Sequence, residues 1–451
     1  MRAGEAGRGL LPGSVPNGQQ RTRGVVDCRG VLWPIRPMVF AHGAAETTRR
    51  GDGVEGVQTV SERVTAVRRA LAEAPARLVV ECLADVLAKE YAITGADLLL
   101  VDYRLSALLP LLGGPAVTHP GDPAWRAFDH QNEVVAGHVG YLPVTVRGER
   151  LGVLRISPFP EAGTEPSPEA GTEPFPEAGI ERAELLEIGT LLAHELQAAG
   201  AGTDRYTVAA RSQRLTLAAE LQWELLPGRS RVGPGFSLAG QLEPAYAVRG
   251  DSFDWAEQKD RVFVTVLNGM GDGMTASLLT SLATQALRNA RRAGLPLADQ
   301  ASLADQALFA QHRGNSHVAA LMLELDVTTG EVLAIDAGSP RLLVLRDGEV
   351  HDQELDAEFP FGMFETSDYS TQSFRMQPGD RLFIVSDGVF AAPGAAGQYG
   401  EAALRRFIRR TGPLAPLQAV RSLLGDLRAF VSSDLEDDAV AVCLDWNPSS
   451  A

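Results

Sequence analysis

The chain has 451 residues, 45% of them hydrophobic, and 57 acidic side chains outweigh 41 basic ones to leave a net charge of −16. That length predicts two or three compact units, and the acidic surplus argues against a protein that coats nucleic acid. No apolar run reaches the about 18 residues of a membrane span and no leader core is evident, so the expectation is a cytoplasmic protein with no membrane attachment.

Residues 1–56 are rich in Gly, Arg and Pro, with breakers at Pro12-Gly13 and Asn17-Gly18. They read as a disordered extension, or as a stretch ahead of a true start at Met38. Helical periodicity then covers 60–73 and 76–90, separated at Pro75. Strand-like runs follow at Asp97–Tyr103, Tyr141–Val146 and Leu151–Ser157, the last two joined by Arg147-Gly148-Glu149-Arg150 as a hairpin. From Pro160 to Gly179 runs an eight-residue repeat built on Pro-Glu-Ala-Gly-Thr-Glu-Pro, too rich in Pro and Gly to bury a core; it reads as a flexible insert. Helices are expected at Glu181–Ala199 and from about Tyr206 to Leu226, where Leu217, Leu221 and Leu225 recur every four residues. That stripe has two readings: packing on the following domain, or a dimerising, signal-transmitting helix within 181–226. Cys28, Cys82 and Cys443 lie far apart, show no C-x-x-C spacing, and read as buried free thiols.

Helix, strands, the Val-Arg-Gly-Glu-Arg-Leu-Gly hairpin and the closing Leu-rich helix together resemble a GAF domain over 57–200. The resemblance implies a cup that senses an unidentified small-molecule or protein signal. His119, His130 and His138 fall in its loop region, and as scattered loop histidines they are read as solvated rather than as metal or haem ligands. A linking helix is expected at 203–227 and a second domain at 228–447.

In that second domain the pattern predicts strands at Arg261–Leu267, His317–Leu325, Glu331–Asp336, Arg341–Leu345, Arg381–Val385 and Ala439–Leu444. Helices are predicted at Met274–Arg292, Glu401–Thr411 and Leu414–Phe430. Strand-rich runs with two helical layers predict an α+β protein ending in an α-β-β-α sandwich. Four polar clusters fall at strand ends: Gly250–Asp254 just before a strand, Asn268–Gly273 and Ser386–Gly388 after strands, and Glu436–Asp438 before the last. Each alone reads as a turn. Together they place carboxylates on one rim, where like charges repel unless hard divalent cations neutralise them; two ions sharing a water form a phosphomonoester hydrolase site.

With these residues in view, 215–446 resemble the metal-dependent protein phosphatase 2C family, in the stage II sporulation protein E branch. The matching segments are Leu217–Pro227, Arg249–Asp254, Gly269–Met274, Asp336–Pro340, Pro378–Val389 and Asp437–Val440. The resemblance implies two Mn²⁺ or Mg²⁺ ions, one of them weak or absent, held by Asp251, Asn268, the Gly269 carbonyl, Asp387 and Asp437, with Asp251, Asn268, Asp387 and Asp437 catalytic. It also implies a phosphorylated anti-sigma-factor antagonist as substrate.

Asn268 departs from the pattern, standing where the family has an aspartate that bridges both metals. Its amide is neutral and offers a single oxygen, so metal affinity should fall. Asp272 is read mainly as an acid favoured ahead of the helix near Met274. Asp336 and Ser339 stand where the family often has Asn and His, and Val440 where it has Thr. Two functions follow: a GAF-regulated Ser/Thr phosphatase, or a degenerate phosphatase-fold signalling module with little activity. A metal-dependent nuclease is disfavoured by the lack of a basic surface.

Overall fold

The computed structural model describes residues 61–159, 182–244, 248–338, 340–394, 397–431 and 435–448. The expected extension over 1–56, the repeat at 160–179, Cys28 and Ser339 lie outside them. The described residues all fall within one compact unit. Among them no helix is long and apolar enough to cross a membrane.

The N-terminal region is α+β. Helix α1 (Glu62–Glu73) starts at Ser61, whose hydroxyl accepts from the Arg63 N–H, and α2 (Val79–Tyr91) stops at Ala92 in the left-handed region. Then come β1 (Gly95–Val101), β2 (Leu108–Pro110), α3 (Pro123–His130), β3 (Val134–Ala136), β4 (Val139–Val146), β5 (Glu149–Ser157) and α4 (Arg182–Ala199). The strands form an antiparallel sheet in the order β2-β1-β5-β4-β3. The β4–β5 turn is tighter than the expected Arg147–Arg150: Arg147 and Gly148 alone form it, with φ of 50° and 87°, and Glu149 and Arg150 are already paired. Two successive positive φ values match the right-handed twist of the flanking strands.

Alternation along β1 and β5 splits this sheet between two cores. Leu98, Leu100 and Leu154 face α1, α2 and α4, meeting Leu83, Ile188 and Leu192. Leu99, Val101 and Val153 face the other way and, with Trp125 and Phe128 of α3, belong to a cluster shared with the C-terminal half. Helix α3 escaped the sequence reading; Asp122 caps it by accepting from the Ala124 N–H, and Pro123 opens it.

The expected single helix from Tyr206 to Leu226 is two. Helix α5 (Arg205–Ala209) ends, and α6 (Leu217–Leu225) restarts at Thr216, whose hydroxyl accepts from the Ala219 N–H. Between them the Ser212 hydroxyl donates to the buried Asp102 carboxylate, a tertiary bond that a continuous helix would forgo. The leucine stripe is likewise not one buried edge. Leu217 is 67% exposed and Leu221 half-buried; of the stripe only Leu225 is buried, together with Ala218, Ala219 and Gln222.

The C-terminal half continues with β6 (Ser230–Gly233), β7 (Phe236–Glu243), β8 (Asp251–Gln258), β9 (Arg261–Gly269), α7 (Gly273–Arg292), α8 (Leu297–His312), β10 (Val318–Asp326) and β11 (Glu331–Ala337). There follow β12 (Arg341–Arg346), β13 (Glu349–Asp352), β14 (Gln372–Arg375), β15 (Arg381–Val385), α9 (Asp387–Phe390), the short pair β16 (Pro393–Gly394) and β17 (Gly397–Gln398), α10 (Gly400–Arg410), α11 (Pro416–Val431) and β18 (Ala439–Trp446). Two antiparallel sheets result, β14-β11-β10-β9-β8 and β13-β12-β15-β18-β7-β6.

Period-two burial stacks them. Val262, Val264 and Val266 of β9, Leu382 and Ile384 of β15, and Val440, Val442 and Leu444 of β18 fill the space between the sheets. The alternate residues of β15 and β18, including Phe383, Ala441 and Cys443, meet α10 and α11. On the opposite side α7 and α8 cover Leu267, Ala320 and Ile335. The C-terminal half is therefore a four-layered α-β-β-α sandwich. Cys443 is buried as expected, whereas Cys82 is only half-buried.

Candidate active site

The inter-sheet core ends in a polar rim. Asp251 opens β8 and lies directly across the ladder from Asn268, the second-last residue of β9. Both have the parity of Phe253 and Val266, which face the opposing sheet. Placing Gly250–Asp254 ahead of a strand was thus mistaken for 251–254, which lie inside β8. Its acids disguised the strand, and Asp254 is neutralised there by Arg288 and Arg291 of α7, at 2.7 and 2.9 Å.

From the second sheet, Asp387 follows β15 and Asp437 precedes β18. The Ser386 hydroxyl accepts from the Val440 N–H at 2.9 Å and the Ser386 N–H donates to the Val440 carbonyl, so the two strand ends are tied together. Gly388 is obligatory in this packing, since a Cβ would stand 1.9 Å from the Asp438 carbonyl oxygen.

Two clasps join the sheets. The Asn268 amide donates from Nδ2 to Oδ1 of Asp387 at 2.7 Å. The Asp438 carboxylate, fully buried, accepts through Oδ2 from the N–H groups of Arg249 and Gly250 at 2.8 and 3.0 Å and from Gln222 Nε2 at 2.7 Å. Gln222 also donates to the Asp251 carbonyl at 2.6 Å. Gly250 takes a φ of 94°, which lets the chain turn beneath Asp438 into β8.

The electrostatics are strained toward protonation. Asp251 is 1% exposed, and neither carboxylate oxygen has a hydrogen-bond partner among the described residues. Burial and the Asp438, Asp437 and Asp387 charges hold its carboxyl well above the usual range, although the neighbouring Ser386 hydroxyl pulls the other way. Asp437 is pushed up to about 6 by burial and by Asp387, partly offset by the Asp438 N–H that bonds its carboxylate and by the Arg249 guanidinium. An orphaned buried carboxylate beside further acids suits a hard divalent cation, which would supply the missing positive charge. Among the described residues no three acidic, His or Cys side chains close on a single point at coordination distance.

Asp251, Asn268, Asp387 and Asp437 are thus brought to one rim, with Gly269 beside them at the end of β9 and its N–H donating to the Gly250 carbonyl at 3.2 Å. Asp272 stands at the N-cap of α7, exposed and without a side-chain cap bond. Asp336 accepts from the Gly338 N–H in its own turn, outside the constellation. His119, His130 and His138 are all exposed and on different segments.

Sequence reasoning included Asp438 and Ser386 in its polar clusters and Gln222 and Arg249 in its matching segments, but gave none of the four a role. The inward parity of Asp438 with Val440 and Val442, and the place of Gln222 among the small residues of one α6 face, were the signals available.

Residues 258–447 match the profile of the family described as Stage II sporulation protein E. Among solved structures, the chain is similar to the RsbU and RsbW domains of a Mycobacterium tuberculosis protein, at 22% identity and TM-score 0.43, covering 50% of this chain and 63% of that one. This chain therefore spans less than two thirds of that relative's length. It is similar also to the SiaA PP2C domain of Pseudomonas aeruginosa, at 20% identity and TM-score 0.41, covering 47% of this chain and 86% of that one. A third is the PP2C phosphatase domain with a regulatory-domain fragment of SpoIIE from Bacillus subtilis, at 18% identity and TM-score 0.42, covering 48% and 66%.

Proposed function

We propose that the C-terminal half, of which residues 258–447 match the Stage II sporulation protein E family, is a phosphatase of the protein phosphatase 2C kind, and that this chain hydrolyses phosphoserine or phosphothreonine on a protein. Its substrate would be of the anti-sigma-factor antagonist kind, and the N-terminal α+β region would act as its GAF-like regulator. The observation that supports this most is the buried Asp251 carboxylate, whose oxygens make no well-formed hydrogen bond among the described residues while further acids crowd it. Asp251, Asp387 and Asp437, with the Gly269 carbonyl and the Asn268 amide, are the groups proposed to hold Mn²⁺ or Mg²⁺. When bound, such a cation lowers the pKa of a water and offsets phosphoryl charge. The chain's own contribution is positional: Asp438 and Gln222 hold the 249–251 backbone, Ser386 sets Asp387 beside Asp437, and Arg249 supplies positive charge at the rim for a phosphate.

The bond from Asn268 to Asp387 favours a second reading, a weakly active module that binds a phosphorylated partner. There the amide supplies to Asp387 part of what a cation would. Phosphate release from a phosphoserine protein, measured in millimolar Mn²⁺ for the parent and for Asn268→Asp, separates the two. Robust parental turnover supports the enzyme. A near-inactive parent and a large gain in Asn268→Asp support the module. Peptide mapping should confirm that Asn268 is still an amide, because Asn-Gly pairs deamidate readily.

A further inference from the structure

Large hydrophobic side chains are unevenly placed on the surface of the described residues. Of the eleven that are exposed, six fall in two segments: Met270, Met274 and Leu278 after β9 and along α7, and Phe359, Met363 and Phe364 in the connection from β13 to β14. Exposed apolar residues scattered singly call for no explanation, whereas a gathering of them marks an interaction surface. The backbone brings the two segments together beside the acidic rim. Val318 at the start of β10 pairs with Gly269 on one side and, through bonds of 3.0 and 2.9 Å, with Phe361 on the other. Phe361 thus lies two strand spacings, about 10 Å, from Gly269. One residue further on, the Met270 N–H donates to the His317 carbonyl at 3.1 Å.

The β13–β14 connection is anchored to the body. Its Phe361 side chain is fully buried, edge-on to Tyr369 with ring centroids 5.3 Å apart. Buried Asp305 of α8 accepts from the Gly362 N–H at 2.7 Å and from the Tyr369 hydroxyl at 3.2 Å. On that support the Phe359 and Phe364 rings meet with centroids 4.9 Å apart, yet they stay 59% and 44% exposed. A surface whose backbone is already fixed loses little freedom when a partner covers it.

Charge identifies the partner. Residues 353–371 hold five acids, Glu354, Asp356, Glu358, Glu365 and Asp368, and no Lys or Arg. Glu354 and Asp356 also line, with Asp336, an open groove of about 740 Å³ in which Arg341 is the one base among the described lining residues. We propose that Phe359, Met363 and Phe364, with Met270 beside them, dock a segment of the phosphoprotein substrate whose apolar side chains are flanked by Lys or Arg. The apolar side chains would cover the exposed rings while the bases face the acids around them. Acids at this density disfavour an anionic lipid surface as the occupant. That the occupant is a substrate rests on the phosphatase reading; its chemistry rests on this surface alone.

The test uses the full chain and two fluorescein-labelled phosphoserine peptides of equal length, one with Leu, Phe and Arg around the phosphoserine and one with Ser and Glu in their places. Fluorescence anisotropy in EDTA, where the phosphate stays on the peptide, should show the first bound about tenfold more tightly or better by the parent. Phe359→Ser combined with Phe364→Ser should cut that preference to about twofold, as expected for the loss of an aromatic anchor. Glu354→Lys combined with Glu365→Lys should weaken the first peptide and flatten its salt dependence; circular dichroism and melting curves establish that each variant is folded. An equal affinity of the parent for the two peptides overturns the proposal, as does an unchanged preference in the folded Phe359→Ser, Phe364→Ser protein. Self-association of the parent that this double variant abolishes in analytical ultracentrifugation also overturns it, in favour of a second copy as occupant. Turnover of p-nitrophenyl phosphate by the parent in millimolar Mn²⁺ keeps the two readings apart. Turnover without a peptide preference sinks the docking surface alone, and a preference without turnover supports the surface and sinks the phosphatase.

Discussion

At the scale of single residues, Asn268 decides most. Its amide bonds a carboxylate in a rim where Asp251, Asp387, Asp437 and Asp438 already repel one another. An aspartate at 268 would lose that bond and add a charge. We expect Asn268→Asp to be less stable than the parent in EDTA by about 1.5–3 kcal/mol, the cost of a hydrogen bond to a charged group. Millimolar Mn²⁺ should raise its melting temperature more than the parent's. Equal responses of the two proteins in scanning calorimetry would disprove the expectation. Asp437 adds a pH signature. Its folded pKa, about 6, lies above its ordinary value of 3.8, so the folded state holds the proton more tightly. The stability this confers is present below about pH 4 and is lost as pH rises through about 6. In EDTA, the melting temperature of the parent relative to Asp437→Asn should therefore fall across that window. A flat difference between pH 4 and 7 would exclude it.

At the scale of elements, α6 is the piece whose role the sequence concealed. Its period is genuine, but the face it buries is set by Ala218, Ala219, Gln222 and Leu225, leaving Leu217 exposed. Periodicity reports that a helix has an apolar side, and small residues let a different side approach a neighbour more closely. Gln222 on the buried side holds both the Asp251 carbonyl and the Asp438 carboxylate. Gln222→Ala leaves that buried carboxylate one donor short and should cost about 1–3 kcal/mol in urea denaturation. Gln222→Glu should cost at least as much, by setting a second acid against Asp438; wild-type stability in either variant would show that the clasp carries little energy. Most other elements were legible: β9, β10 and β15 are continuous apolar runs buried on both faces, and α7 and α11 follow the 3.6-residue period. Helix α8 and strand β8 were not, because α8 buries Gln300 and Asp305 alongside its alanines and leucines, and β8 carries acids whose compensating arginines come from α7.

At the scale of the whole molecule, the N-terminal region and the C-terminal sandwich share a hydrophobic cluster and a polar seam. Buried Glu243 accepts from Arg428 at 2.8 Å and pairs with Arg104 at 3.1 Å, while Arg229 donates to the Asp102 carbonyl at 2.9 Å. A shared core couples unfolding of the two halves. Trp125→Ala should lower stability by about 3–5 kcal/mol, and hydrogen exchange should show protection lost in β1 and α11 together. Loss confined to β1 and α3 would mean that the halves unfold separately.

Sequence alone determined the α+β class, most of the sandwich strands and the set of acids that gather at its rim, because each depends on local periodicity and on residue type. Only the tertiary structure decided that Asp251 sits inside a strand opposite Asn268, that Asp438 and Gln222 hold the rim from behind, and that the N-terminal sheet face is spent on packing rather than left open. Those outcomes depend on which distant segments meet. A chain read in order records the preference of each residue, and the partner that satisfies it is chosen only when the core closes.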